Sequence, residues 1–134
     1  MDLLKNIGGF DMEEKIKGPT MVLLVSNLEI SIEYYKELGF KYELIGGPDV
    51  QHVHMSRDAV TFILHPAKNK SDVKPFSSIE GGLYFDAFCY TDVRRILEEF
   101  KTKGIEIVNG PDLNEFFSEF TIKDPDGYRI SFGG

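Results

Sequence analysis

The run VSNLEISIEYYKELGF, residues 25–40, has a counterpart of matching pattern in YTDVRRILEEFKTKGI, residues 90–105, so Val25 and Gly39 correspond to Tyr90 and Gly104, each pair 65 positions apart. Leu28, Ile32 and Tyr35 fall on Val93, Leu97 and Phe100, an i, i+4, i+7 spacing that lines one face of a helix in each copy. Ser26 with Glu29 three residues on reads as a capping box. In the second copy Thr91 offers a hydroxyl cap and Asp92 a charge suited to the helix dipole. Gly39 and Gly104 supply matching stop signals.

Working outward, runs rich in branched and aromatic residues precede each helix, Met21 to Val25 and Leu83 to Tyr90. Three further strand-like runs follow each: Lys41 to Ile45, Val50 to Met55 and Val60 to His65 in the first copy, and Ile105 to Val108, Phe116 to Ile122 and Tyr128 to Phe132 in the second. Turn signals separate them, the clearest being Asp124-Pro125-Asp126-Gly127. The expectation is an α+β chain of two tandem β-α-β-β-β modules, with eight strands forming a curved open sheet or trough. Residues 1–18 read as an extension, 19–67 as the first module, 68–81 as a polar linker and 82–134 as the second module.

Composition narrows the function classes. A chain of 134 residues with 42% hydrophobic and 28% charged residues is large enough for one core of its own. The net charge of −7 and the lack of a Lys/Arg cluster argue against nucleic acid as a partner. No apolar stretch approaches ~18 residues, which argues against a membrane span, and the start MDLLKNIGGFDMEEK lacks the basic end and unbroken apolar run of a signal peptide. With Cys89 as the sole cysteine no internal disulfide forms, and a reducing, cytoplasmic setting is expected. No glycine-rich phosphate loop or nucleophile elbow is present.

The runs VSNLEISIEYYKELGF and DPDGYRISF, set in this doubled frame, resemble the glyoxalase/bleomycin-resistance (vicinal oxygen chelate) superfamily over about residues 19–134. Its members include glyoxalase I, extradiol dioxygenases, fosfomycin-modifying enzymes and bleomycin-binding proteins. In metal-using members the resemblance puts ligands at the start of the first strand and the middle of the fourth strand of each module. Those positions here are Thr20, Phe85, Ile63 and Ser131, none a good ligand for a divalent ion. The resemblance therefore implies the metal-free branch: no cofactor, a small organic molecule such as a drug held in the trough, and a homodimer. Its alternative is a lyase, isomerase or dioxygenase that has moved its metal, or its acid-base chemistry, to His52, His54 and Glu119.

Period-two alternation sends a second set of residues into the trough. Met21, Leu23, Val25, Phe62 and Leu64 are expected to face the helix. Aligning the modules through Ile63 and Ser131 sets His52 and His54 opposite Glu119 and Thr121, and Thr61 opposite Arg129. The two imidazoles hold a metal or simply line a polar rim. Glu119 and Arg129 pair with each other or present both charges to a ligand. Phe85, with Phe116 and Phe117, forms an aromatic wall or packs as core. Cys89 is expected to face the trough two pleats along from Phe85, as a small buried side chain rather than a nucleophile. His65, before Pro66, reads as surface.

Overall fold

The computed structural model describes residues 15–48 and 52–134. The first module contains β1 (Met21–Val25), α1 (Leu28–Glu37), β2 (Lys41–Ile45), β3 (His52–Arg57) and β4 (Val60–Pro66). Two short 3-10 turns, Lys70–Asp72 and Phe76–Ser78, connect it to β5 (Ala87–Tyr90), α2 (Val93–Thr102), β6 (Ile107–Asp112), β7 (Glu119–Lys123) and β8 (Arg129–Gly133). Each module forms a four-stranded sheet, ordered β1-β4-β3-β2 and β5-β8-β7-β6. The first and fourth strands of each are parallel neighbours and the rest are antiparallel. The expected α+β fold of two β-α-β-β-β units is the one observed. The extension at residues 1–14 and the start of the run from Val50 lie outside the described residues.

One face of each sheet is the core. Leu23, Val25, Val53, Met55, Phe62 and Leu64 are buried against Tyr35 and Leu38, and Phe120, Ile122, Ile130 and Phe132 against Leu97 and Phe100. A fully buried side chain of this size contributes roughly 1.5–3 kcal/mol, so the helix stripes read from the sequence are what close each module. Met21, expected among them, is 39% exposed at the sheet end. Both helices end at a glycine in the left-handed region, Gly39 with φ +89° and Gly104 with φ +74°.

The helix starts differ from expectation. Asn27, not Ser26, caps α1, its side chain accepting from the Ile30 N–H at 3.1 Å. Ser26 is otherwise engaged, its N–H donating to both oxygens of Asp126 in the other module. At α2 the cap position is Asp92, and its side chain makes no capping hydrogen bond.

The modules grip each other reciprocally, the β-hairpin of each docking on the helix of the other. Arg57, at the end of β3, donates to both carboxylate oxygens of Glu99 on α2 (2.6 and 2.9 Å) and to the Leu38 carbonyl (2.7 Å). This bidentate pair holds the Glu99 carboxyl below its ordinary range. Gly39 makes room for it, since a Cβ there would stand 2.7 Å from the guanidinium. In the other direction, the Tyr35 hydroxyl of α1 donates at 2.8 Å to Asp124 in the β7–β8 turn. The other Asp124 oxygen accepts the N–H groups of Asp126 and Tyr128. The Tyr128 hydroxyl then donates at 2.7 Å to the Leu24 carbonyl of β1.

Burial pushes the Asp124 carboxyl up to about 6 despite these donors. A carboxyl raised in the folded state favours folding when protonated. Its contribution is fully present below about pH 4 and disappears as pH rises through about 6. Asp124→Asn retains the acceptor for the two backbone N–H groups and lacks the charge. The variant is expected to gain on the order of 2–3 kcal/mol over wild type at pH 7, with the difference vanishing toward pH 4. Thermal denaturation from pH 4 to 8 checks this, and parallel profiles would contradict it.

Candidate functional site

Strand pairing defines the faces away from the helices. Val22 pairs with Ile63 and Ile63 with His54, while Phe88 pairs with Ser131 and Ser131 with Thr121. Through the Ile63–Ser131 correspondence, Val22 therefore answers to Phe88 and Thr20 to Asp86, an offset of 66 rather than 65. The helices keep 65, so the segment between first strand and helix is one residue shorter in the second module. That single residue inverts the faces expected for β5. Cys89 answers to Leu23 and lies in the core, 8% exposed, with its thiol pushed up to about 11 by burial. It does not face the trough. Phe88 and Tyr90 do, and Phe85 precedes the strand.

The second open face is aromatic. Phe88 stacks with Phe117 at 6.2 Å and 18° between ring planes, and Phe85 and Tyr90 meet Phe88 edge-on at 5.3 and 5.2 Å. Tyr84 packs on Phe85 at 4.8 Å. Beneath them, Gly133 lacks the Cβ that would collide with Phe88 and Phe117. Phe117 is set by its loop, where the Asn114 side chain accepts the N–H groups of Phe116 and Phe117 (2.9 and 2.8 Å). Phe116 itself is 89% exposed. Despite this packing Tyr90 remains 74% and Phe117 45% exposed.

Polar groups border the rings. Glu119 accepts the Tyr84 hydroxyl on both oxygens, at 2.7 and 2.9 Å, and of the two alternatives for Glu119 and Arg129 the mutual pair is not formed. Arg129 has no ion pair among the described residues. Thr121 and Ser131 share a buried hydroxyl–hydroxyl hydrogen bond of 2.7 Å. On the first module Thr61 bonds Ser56 at 3.0 Å. His52 and His54 stand side by side, ring centroids 6.1 Å apart, and His65 joins them 6.3 Å from His52. His65 is exposed, as expected, yet belongs to this histidine cluster, because β4 runs beside β3.

A metal of the kind the fold family uses does not fit these residues. Of the four corresponding positions Thr20, Ile63 and Ser131 carry no strong ligand. The fourth, Asp86, spends its oxygens on Ser77 N–H (2.9 Å), Ser77 hydroxyl (2.6 Å) and Arg129 N–H (2.7 Å). Nor does Glu119 complete His52 and His54, since it is bound to Tyr84. Among the described residues no three His, Cys, Asp or Glu side chains are grouped to hold an ion.

This chain belongs to the superfamily of glyoxalases, bleomycin resistance proteins and dioxygenases: the family model named Glyoxalase/Bleomycin resistance protein/Dioxygenase superfamily matches residues 18–132. Its fold is similar to that of a protein from the mobile metagenome of V. Pseudocholerae (20% identity, TM-score 0.65, covering 90% of this chain and 95% of that one). It is also similar to a virulence protein from Salmonella typhimurium (24%, 0.62, 92% and 98%). A third likeness is to TnmS3, an antibiotic binding protein from Streptomyces sp. CB03234 (18%, 0.62, 90% and 97%). No curated protein sequence matches it. Among the described residues no helix is long and apolar enough to cross a membrane.

The Gly133 position provides a direct check on the aromatic face. Gly133→Ala forces Phe88 or Phe117 from its seat and is expected to destabilise the fold by about 1–3 kcal/mol, read from urea unfolding. An unchanged midpoint would mean the rings do not rest on β8.

Proposed function

We propose that this protein is a binding protein that takes a small, flat organic molecule on the aromatic open face of its second module, without a metal at the family positions. The carrying observation is the Phe88–Phe117 stack seated over Gly133, with Tyr90 beside it and largely exposed. Apolar rings gathered on a surface and left uncovered mark a binding region. They offer a planar ligand stacking and edge contacts of ~0.5–1.5 kcal/mol per ring in addition to area burial. Glu119 and Arg129, unpaired with each other, provide polar selection at the rim. The antibiotic binding protein TnmS3, which shares the fold, supports a drug-like ligand, and the misfit of a metal to Thr20, Asp86, Ile63 and Ser131 supports binding without an ion.

A homodimer completes this reading. The contacts between modules of one chain run from each hairpin to the opposite helix, and from the second hairpin also to the end of β1. The ring contacts of the open faces stay within one module. A second copy would bring a histidine-bearing face against an aromatic one and enclose the ligand between His52, His54 and Thr61 on one side and Phe88, Phe117, Glu119 and Arg129 on the other.

The chain has six tyrosines and no tryptophan, so quenching of tyrosine fluorescence by planar aromatic compounds reports binding. Wild type is expected to bind a member of such a panel equally with and without EDTA. Phe88→Ala is expected to weaken that ligand about tenfold or more. Loss of binding on chelation, or an unchanged affinity in Phe88→Ala, would sink the proposal. Sedimentation at micromolar concentration is expected to show a dimer, and a monomer alone would remove the enclosed site.

A further inference from the structure

The two hairpin-on-helix contacts occupy equivalent places in the two modules but are not filled equally. In the second module's hairpin, Tyr128 is 8% exposed and its ring inserts toward the end of β1, the hydroxyl donating to the Leu24 carbonyl. The correspondence that places Ile63 on Ser131 places Phe62 on Ile130 and Val60 on Tyr128. Val60 and Tyr128 share the helix-side parity of those strands. The first hairpin therefore carries an isopropyl group where the second carries a phenol. Its turn is shorter too: Arg57 pairs with Val60 across two residues, whereas Lys123 pairs with Arg129 across five.

A cavity lies where the missing ring would be. It has a volume of about 140 Å³, and its walls include Phe40, Val60, Cys89, Ile96, Phe100 and Phe132, drawn from both modules. Tyr90, which answers to Leu24 in the strand frame, also lines it, with Arg57 and Thr91. Phe100, the counterpart of Tyr35, has no hydroxyl to reach the hairpin. An enclosed apolar cavity of about 150 Å³ holds benzene; this space is of similar volume but open on one side and also lined by Arg57, Asp58 and Thr91, so it has room for one aromatic ring with a polar group.

We infer that this inter-module cavity is a second binding site, distinct from the Phe88–Phe117 stack and meeting the open face only at Tyr90, that accepts a monocyclic aromatic molecule of the phenol class in the place that Tyr128 fills in the other module. The ring packs among Phe40, Val60, Phe100 and Phe132, and the hydroxyl points to the β5 end, where the Tyr90 carbonyl holds the position of the Leu24 carbonyl. No covalent step is involved, and the buried Cys89 serves as wall.

Phenol itself is the probe, added to the full chain and followed by thermal denaturation and amide NMR. At about ten times its dissociation constant it is expected to raise Tm by about 4 °C and to shift the amides of Val60, Cys89 and Ile96. Val60→Tyr supplies the missing ring and is expected to abolish both effects, Val60→Ala to keep them, and Phe88→Ala to leave them unchanged. Should Val60→Tyr fail to fold, Val60→Leu fills part of the space and is expected to weaken phenol at least fivefold. No saturable effect in wild type, binding that survives the filling variant, or shifts confined to Phe88 and Phe117 would overturn the inference. The last outcome would assign phenol to the open face and leave the proposed function standing.

Discussion

The reciprocal docking of each hairpin on the opposite helix is the constraint on which this structure depends. Each module alone is a four-stranded sheet with a single ten-residue helix, a small core by the standards of independent domains. The Arg57–Glu99 pair and the Tyr35–Asp124 hydrogen bond join them at two equivalent places by unlike means, one ionic and half-exposed, the other buried. Single exposed ion pairs contribute little. Here bidentate geometry, a third acceptor in the Leu38 carbonyl and a glycine shaped to admit the guanidinium make the contact specific. Because helices and hairpins are spent on this docking, both open faces are left to other uses.

The open faces divide the chemistry. The first carries imidazoles and hydroxyls, the second rings with a tyrosine-bound carboxylate. Every family metal position is either a non-ligand or, in Asp86, a carboxylate committed to holding the linker and β8 through Ser77 and Arg129. The same residue that answers to a ligand position is thus a structural clasp. Fold alone would permit many chemistries; at these four positions the side chains are poor or committed ligands for a divalent ion.

How much was readable beforehand follows from where the local signal is strong. The helix stripes, the terminal glycines and the DPDG turn each carry their own stereochemistry, so the two modules and their order were legible. The faces of β3, β4, β7 and β8 were legible as well, because their apolar and polar residues alternate. The face of β5 was not. Leu83 to Tyr90 is apolar or aromatic at nearly every position, so period two cannot choose a side, and the helix frame misleads by one residue. Cys89 and Phe88 exchanged places as a result. At α1 a different reason holds: the Ser26 backbone N–H, which a capping box would give to Glu29, goes to Asp126, a partner 100 positions distant that no local pattern reveals. His65 was placed at the surface correctly, but its adjacency to His52 depends on the β3–β4 pairing.

The proposed ligand recognition rests on the aromatic face of the second sheet. Mapping amide chemical-shift changes while a planar aromatic ligand is titrated into metal-free protein tests this most directly. Saturable changes centred on Phe88, Tyr90, Phe117 and Glu119 are the predicted result. Changes absent there, or appearing only around His52, His54 and His65 after a divalent metal is added, would contradict it.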